Sequence, residues 1–110
     1  MKRGDIVSYA GQGGYGKPRP AVVVQSDRLP ETESVLLCLI TSDLDDVSLY
    51  RRILVAPSAA NGLERTSQLM PEKLLAVRRA RCRQIIGRLE PAIVEQLNAA
   101  LALVIGLSDA

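Results

Sequence analysis

The chain contains no histidine, no phenylalanine and no tryptophan. Without imidazole, histidine acid–base catalysis and His-ligated metal centres are both excluded. Tyr9, Tyr15 and Tyr50 are the only aromatic residues, too few for a platform that stacks a row of bases. The two cysteines, Cys38 and Cys82, show no CxxC spacing, and each sits in an apolar run. A free cysteine in that setting behaves as a small buried hydrophobe, and this reading is preferred here to a disulfide or a reactive thiol. No apolar run reaches membrane-spanning length, and Met1–Asp5 lacks the apolar stretch of a signal peptide. The expectation is a cytoplasmic protein with no membrane contact.

What is present suits one compact unit. At 110 residues and 47% hydrophobic, the chain can build one core, and residues 1–110 are expected to form a single domain. That core has to be aliphatic, made from Leu, Ile, Val and Ala. The net charge of +2 is small, but its distribution is uneven. Residues 27–46 hold six acids against Arg28, whereas residues 64–88 hold seven basic residues against Glu64 and Glu72. Such asymmetry suits a surface that meets a polyanion, or else a solvated strand edge that uses charge to prevent edge-to-edge pairing.

Periodicity divides the chain into strands and one helix. Residues 6–9, 20–26, 34–40 and 52–56 are strand-length runs, and the near-continuous hydrophobicity of 20–26 and 34–40 predicts central strands buried on both faces. Gly11–Pro18 is a loop punctuated by four glycines, and Asn61-Gly62 is a turn. Residues 68–70 form a short strand stopped by Pro71, and 73–77 and 82–89 form two more, joined through Arg78–Arg81. Ile93, Val94, Leu97, Leu101, Val104 and Ile105 recur at helical spacing. Glu90 lies near the cap, Pro91 at the first helical position and Gly106 at the stop, which predicts a helix over about 91–105. Many short strands followed by one helix predict a small antiparallel barrel or a strongly bent sheet.

Two places can carry chemistry. In Lys17-Pro18-Arg19-Pro20 the prolines fix φ on both sides of Arg19, and Pro20 biases Arg19 towards an extended conformation. A guanidinium held in this way beside a glycine loop offers a planar fork of donors to a phosphate. It can equally form a surface ion pair on a rigid turn. Thr41-Ser42-Asp43 follows the apolar run 34–40. Its hydroxyls can donate to a phosphate or a developing oxyanion, or they can cap a turn.

These elements in this order resemble the MazF/PemK toxin family over about 100 residues. The residues that carry the resemblance are Gly4-Asp5-Ile6-Val7, Arg19–Val24, Ile40-Thr41-Ser42, Gly87-Arg88-Leu89 and Gly106-Leu107. The resemblance implies a mainly β fold with a C-terminal helix, of the SH3-like small-barrel kind. It implies a homodimer whose RNA lies across both subunits, and a cognate antitoxin that competes for that surface with an acidic or disordered tail. It also implies a type II toxin that cleaves single-stranded RNA, with Arg19 and Thr41 as the catalytic pair and Ser42 adjacent. Gln12, Lys17, Lys73, Arg78 and Arg81 are the residues expected to bind RNA. Two departures from the family pattern stand out. The loop before Arg19 is glycine-rich where many relatives carry a carboxylate, and Glu72-Lys73-Leu74-Leu75-Ala76 stands at the place of a D-Q-I-R-T-like segment. A non-catalytic toxin of the CcdB kind, or a relative that only binds RNA or antitoxin, is the alternative.

The chemistry fits the composition. RNA supplies its own nucleophile, the 2′-hydroxyl. The protein has to align that oxygen with phosphorus and the leaving 5′-oxygen and to stabilise charge on the phosphorane. The expected products are a 2′,3′-cyclic phosphate and a 5′-hydroxyl. Arginine, with a pKa above about 12, suits electrostatic and proton-donor roles better than that of general base. No metal site and no cofactor is expected, and Asp43, Asp45 and Asp46 read as a solvated loop.

Overall fold

A computed structural model describes residues 1–11, 17–45 and 51–109. Among them are strands β1 (Asp5–Tyr9), β2 (Arg19–Val23), β3 (Ser34–Thr41), β4 (Ile53–Val55), β5 (Ser67–Arg78) and β6 (Cys82–Arg88), followed by helix α1 (Pro91–Val104). The strands form one antiparallel sheet in the order β4-β5-β3-β2-β1-β6. The two most apolar runs, β2 and β3, do lie in the middle.

Alternation along each central strand divides the interior in two. Ile6, Val22, Cys38, Ile40 and Leu69 point to one face and pack under Leu97, Ala100 and Leu101 of α1. Val7, Ala21, Val23, Val35 and Leu37 point to the other, where they pack with Tyr9 and Val77. Neighbouring residues of a strand project to opposite faces, so an unbroken apolar run supplies both clusters at once. At the start of α1, Pro91 takes the first helical position and Glu90 the cap. The Glu90 side chain does not cap the helix; Oε1 accepts from Asn61 Nδ2 and Ser58 Oγ, each at 3.2 Å.

Two expectations need correction. Pro71 does not end a strand: β5 runs through it. The register against β3 jumps there, with Leu39 opposite Met70 and Cys38 opposite Leu74, so Pro71–Lys73 bulge out of the ladder. A bulge is where a residue without an N–H is tolerated in a paired strand. The sheet is also not a closed barrel, because β4 and β6 are unpaired edges. β5 and β6 flank the three central strands and meet only through a 3-10 turn at Arg79–Arg81.

The gap beside β6 is covered by the loop after β4. Arg88 N donates to Ala60 O at 2.8 Å. Asn61, fully buried, holds the loop in shape: Oδ1 accepts from Ser58 N and Leu63 N at 3.0 Å, and Nδ2 donates to Ala56 O at 2.9 Å. Backbone meets backbone so closely here that a Cβ on Gly87 would lie 2.2 Å from the Asn61 carbonyl group, and one on Gly62, at φ +68°, 2.0 Å from Ile86 O. Gly87→Ala should therefore destabilise the fold by more than about 2 kcal/mol, because backbone on both sides has to move. Urea unfolding measures it; a midpoint equal to the parent's contradicts this account of the gap.

Cys38 is fully buried and free, and burial pushes its thiol pKa from 9.0 up to about 12. The Cys82 thiol is raised for the same reason. An unfolded chain gives up the Cys38 proton first, so its neutral thiol contributes stability below pH 9.0 that is lost between there and about 12. Cys38→Ala should flatten the alkaline fall in stability, measured by urea unfolding at stepped pH. An equally steep fall in the variant would rule out this source.

Candidate functional site

The site is set by strand register. Tyr9 of β1 is paired with Arg19 of β2. The β2–β3 pairs run Val23 with Leu37, Val22 with Cys38 and Ala21 with Leu39; Arg19 and Thr41 each lie two residues beyond the last pair, at the same strand end and on the same face. Thr41 is in turn paired with Gln68 of β5. Residues directly opposite in antiparallel strands share a face, with Cβ atoms about 5 Å apart. Tyr9, Arg19, Thr41 and Gln68 thus form one row across four strands, on the face turned away from α1, at the end where Arg19 emerges from the Lys17-Pro18 segment. The two residues singled out in sequence by their prolines and hydroxyl are brought to the same strand end and face by this register.

Thr41 also shapes the turn that follows it. Its Oγ1 accepts from Asp43 N at 3.0 Å, so the turn-forming role open in the sequence is realised, and the hydroxyl proton is left to donate elsewhere. Gln68, 1% exposed, holds the far side of the same turn. Its Oε1 accepts from Asp45 N at 3.2 Å, and its Nε2 donates to Asp45 O at 2.6 Å. Behind it, Arg52 donates through Nε and Nη2 to Glu72 Oε2 at 2.9 and 2.7 Å. Between them these side chains fix the backbone from Thr41 to Asp45 and leave Ser42 exposed. Residue by residue, the partner of Thr41 is Gln68; the 72–76 segment begins with a buried-side ion pair and carries Lys73 outward in the Pro71 bulge.

On the other side of Arg19 a cleft of about 410 Å³ opens, lined by Lys17, Arg19, Ser42, Glu64, Arg65 and Ser67 among others. Its wall is the stretch that follows the Asn61-anchored loop. Glu64 and Arg65 were visible in the sequence only as members of a charge run. The signal that could have placed them is the Asn61-Gly62 turn, which fixes where the next residues point.

The other expected RNA contacts lie apart from this cleft. Arg78 ends β5, 3.8 Å from Glu33 Oε1 on an exposed surface. Arg79 Nε donates to Thr32 O and lies 4.0 Å from Glu31. Arg81 is half-buried, and its carbonyl accepts from Ala10 N at 2.9 Å, beside the start of the glycine loop. Gln12 lies outside the described residues. Among the described residues no group of three or more His, Cys, Asp or Glu side chains is arranged to hold a metal ion, and no helix is long and apolar enough to cross a membrane.

Residues 2–105 match the family of PemK-like, MazF-like toxins of type II toxin–antitoxin systems. The chain belongs to this family. It is 37% identical over 109 residues to the probable endoribonuclease MazF of Mycolicibacterium smegmatis, covering 98% of this chain and 99% of that one. Its fold is similar to that of the Mycobacterium tuberculosis toxin MazF-mt6, with a TM-score of 0.79, 20% identity and coverage of 94% and 98%. It is also similar to an endoribonuclease from a mycobacterial species solved in complex with its cognate antitoxin, with a TM-score of 0.77, 22% identity and coverage of 98% and 97%. The open six-stranded sheet with one terminal helix is thus a family architecture.

The hold of Gln68 on the Thr41–Asp45 turn is testable. Gln68→Leu fills the site with an apolar side chain of similar size but removes both hydrogen bonds to Asp45. Amide exchange over residues 42–45 should quicken by roughly tenfold or more, the scale of losing a hydrogen bond or two. Unchanged exchange there would show that the turn is held by something else.

Proposed function

We propose that this toxin is an endoribonuclease that cleaves single-stranded RNA by metal-independent transesterification, acting as one domain over residues 1–110 in a cytoplasmic homodimer held in check by a cognate antitoxin with an acidic or disordered tail. The observation that supports the reading is the shared face and strand end of Arg19 and Thr41, two residues past the Ala21–Leu39 pair, with Ser42 on the turn just beyond. The 2′-hydroxyl oxygen attacks phosphorus, and the phosphorane's extra negative charge faces the Arg19 guanidinium. A hydroxyl of Thr41 or Ser42 donates to a nonbridging oxygen, and the P–O5′ bond breaks. The products are a 2′,3′-cyclic phosphate and a 5′-hydroxyl. Since RNA brings the nucleophile, the protein needs no metal to generate one.

Lys17 lies within the cleft and gives the strand a further cation there. Gln12, Lys73, Arg78 and Arg81 are assigned to binding RNA away from the scissile phosphate. Arg19 has little conformational freedom left to lose, since prolines flank it, and so it acts mainly in the transition state. The basic residues beyond the cleft act mainly in affinity. An acidic antitoxin tail meets the same cations.

Purified protein and long RNA, with the cut ends mapped, test the reading, and cleavage should persist in EDTA. Arg19→Ala should slow single-turnover cleavage by roughly 10²-fold, the scale of losing one oxyanion donor, with a much smaller change in RNA affinity. Arg81→Ala should weaken binding across sequences and flatten its salt dependence, with the saturated rate nearly unchanged. Intact RNA after prolonged incubation favours a CcdB-like or binding-only toxin, and activity lost to EDTA and restored by a divalent ion overturns the mechanism.

A further inference from the structure

Transesterification leaves an alkoxide at the 5′-oxygen, and something has to protonate it. Arg19 can donate, but a guanidinium engaged with the phosphorane's nonbridging charge serves best if it keeps its proton, and a phenol gives one up far more readily. Among the described residues, one phenol stands beside Arg19. Tyr9 is the direct cross-strand partner of Arg19, on the same face as Thr41. The two strands therefore offer a guanidinium and a phenol from Cβ atoms about 5 Å apart.

The environment of Tyr9 is unusual for a structural tyrosine. Its side chain is 8% exposed, packed with Val7, Ala21, Val23, Leu37 and Val77. Buried tyrosines normally place their hydroxyl on a partner. Among the described residues the Tyr9 hydroxyl has none, and it is not sealed from solvent either. A phenylalanine would fill the same apolar space. The hydroxyl is thus a donor that the fold does not use, carried by the residue that pairs with Arg19.

We propose that Tyr9 is a further catalytic residue, the general acid that protonates the leaving 5′-oxygen, and this rests on the reading of the chain as an RNA-cleaving toxin. The 2′-hydroxyl loses its proton to solvent water as the O2′–P bond forms. The P–O5′ bond breaks, its electron pair stays on O5′, and that oxygen takes the phenolic proton of Tyr9. The phenolate regains a proton from solvent, so the protein returns to its starting state with no co-reactant beyond water. Arg19 is then free to act on phosphorane charge alone.

Tyr9→Phe tests this with almost no change to packing. The substrates are two oligonucleotides carrying a mapped cut site, one of ordinary RNA and one with sulfur in place of the bridging 5′-oxygen. A thiolate leaves without needing a proton. Single-turnover cleavage of the ordinary RNA at saturating protein should fall by roughly 10²-fold, within the range for loss of a general acid. The sulfur-bridged RNA should be cut at the parent rate, and binding of a 2′-deoxy analogue and the urea midpoint should match the parent. A variant that cuts ordinary RNA at the parent rate overturns the assignment, as does one slowed equally on both substrates. A parent chain that cuts neither substrate removes the proposed function and the role of Tyr9 with it. A parent that cuts while Tyr9→Phe cuts equally well removes only the role of Tyr9.

Discussion

The register of β1, β2 and β3 is the constraint on which the site depends. Each of these strands is buried on both faces, with Ile6, Val22 and Cys38 under the helix and Val7, Ala21 and Leu37 in the opposite cluster. A slip of one residue would exchange the two sets and break the packing on both sides. The fixed register then carries its order beyond the core. It sets Tyr9 opposite Arg19 and Thr41 opposite Gln68 at the strand ends, where buried Tyr9 and Gln68 flank the exposed Arg19 and half-buried Thr41. The candidate row is the last rung of a ladder whose other rungs are core.

A second constraint closes the open side of the sheet. An unpaired edge normally invites another chain. Here the loop around Asn61 lies against β6, and two glycines, Gly62 and Gly87, allow the backbones to touch. The Asn61 amide joins this loop to Glu90 at the start of α1, and the neighbouring Ala60 carbonyl joins it to Arg88 of the edge strand. The same loop leads into Glu64 and Arg65, so the stretch that seals the edge also builds a wall of the cleft beside Arg19. Fold closure and site construction therefore share residues.

Much of this was legible in the sequence. Unbroken β-branched runs showed which strands are central, helical spacing located α1 within a residue, and the prolines around Arg19 marked it. The rest depended on contacts between segments distant in sequence. Pro71 reads as a strand stop because a local rule has no knowledge of a partner strand that can tolerate a bulge. Gln68 lies inside a strand-like stretch with nothing to distinguish it; its importance comes from Asp45, which the fold brings to it. Glu64 and Arg65 look like surface charge until the Asn61 turn fixes their direction. Tyr9 lies in the core, and its pairing with Arg19 is revealed only by register.

The central claim is that RNA is gripped for cleavage at the Tyr9–Arg19–Thr41 row. It is tested most directly by amide and side-chain NMR of the protein titrated with an oligonucleotide carrying the mapped cut site and a single 2′-deoxy nucleotide there, which binds but lacks the nucleophile. The account predicts shift changes centred on Tyr9, Arg19, Thr41 and Ser42, with weaker ones at the outlying basic residues. Changes centred on Arg78–Arg83, with Tyr9, Arg19 and Thr41 unmoved at saturation, would contradict it.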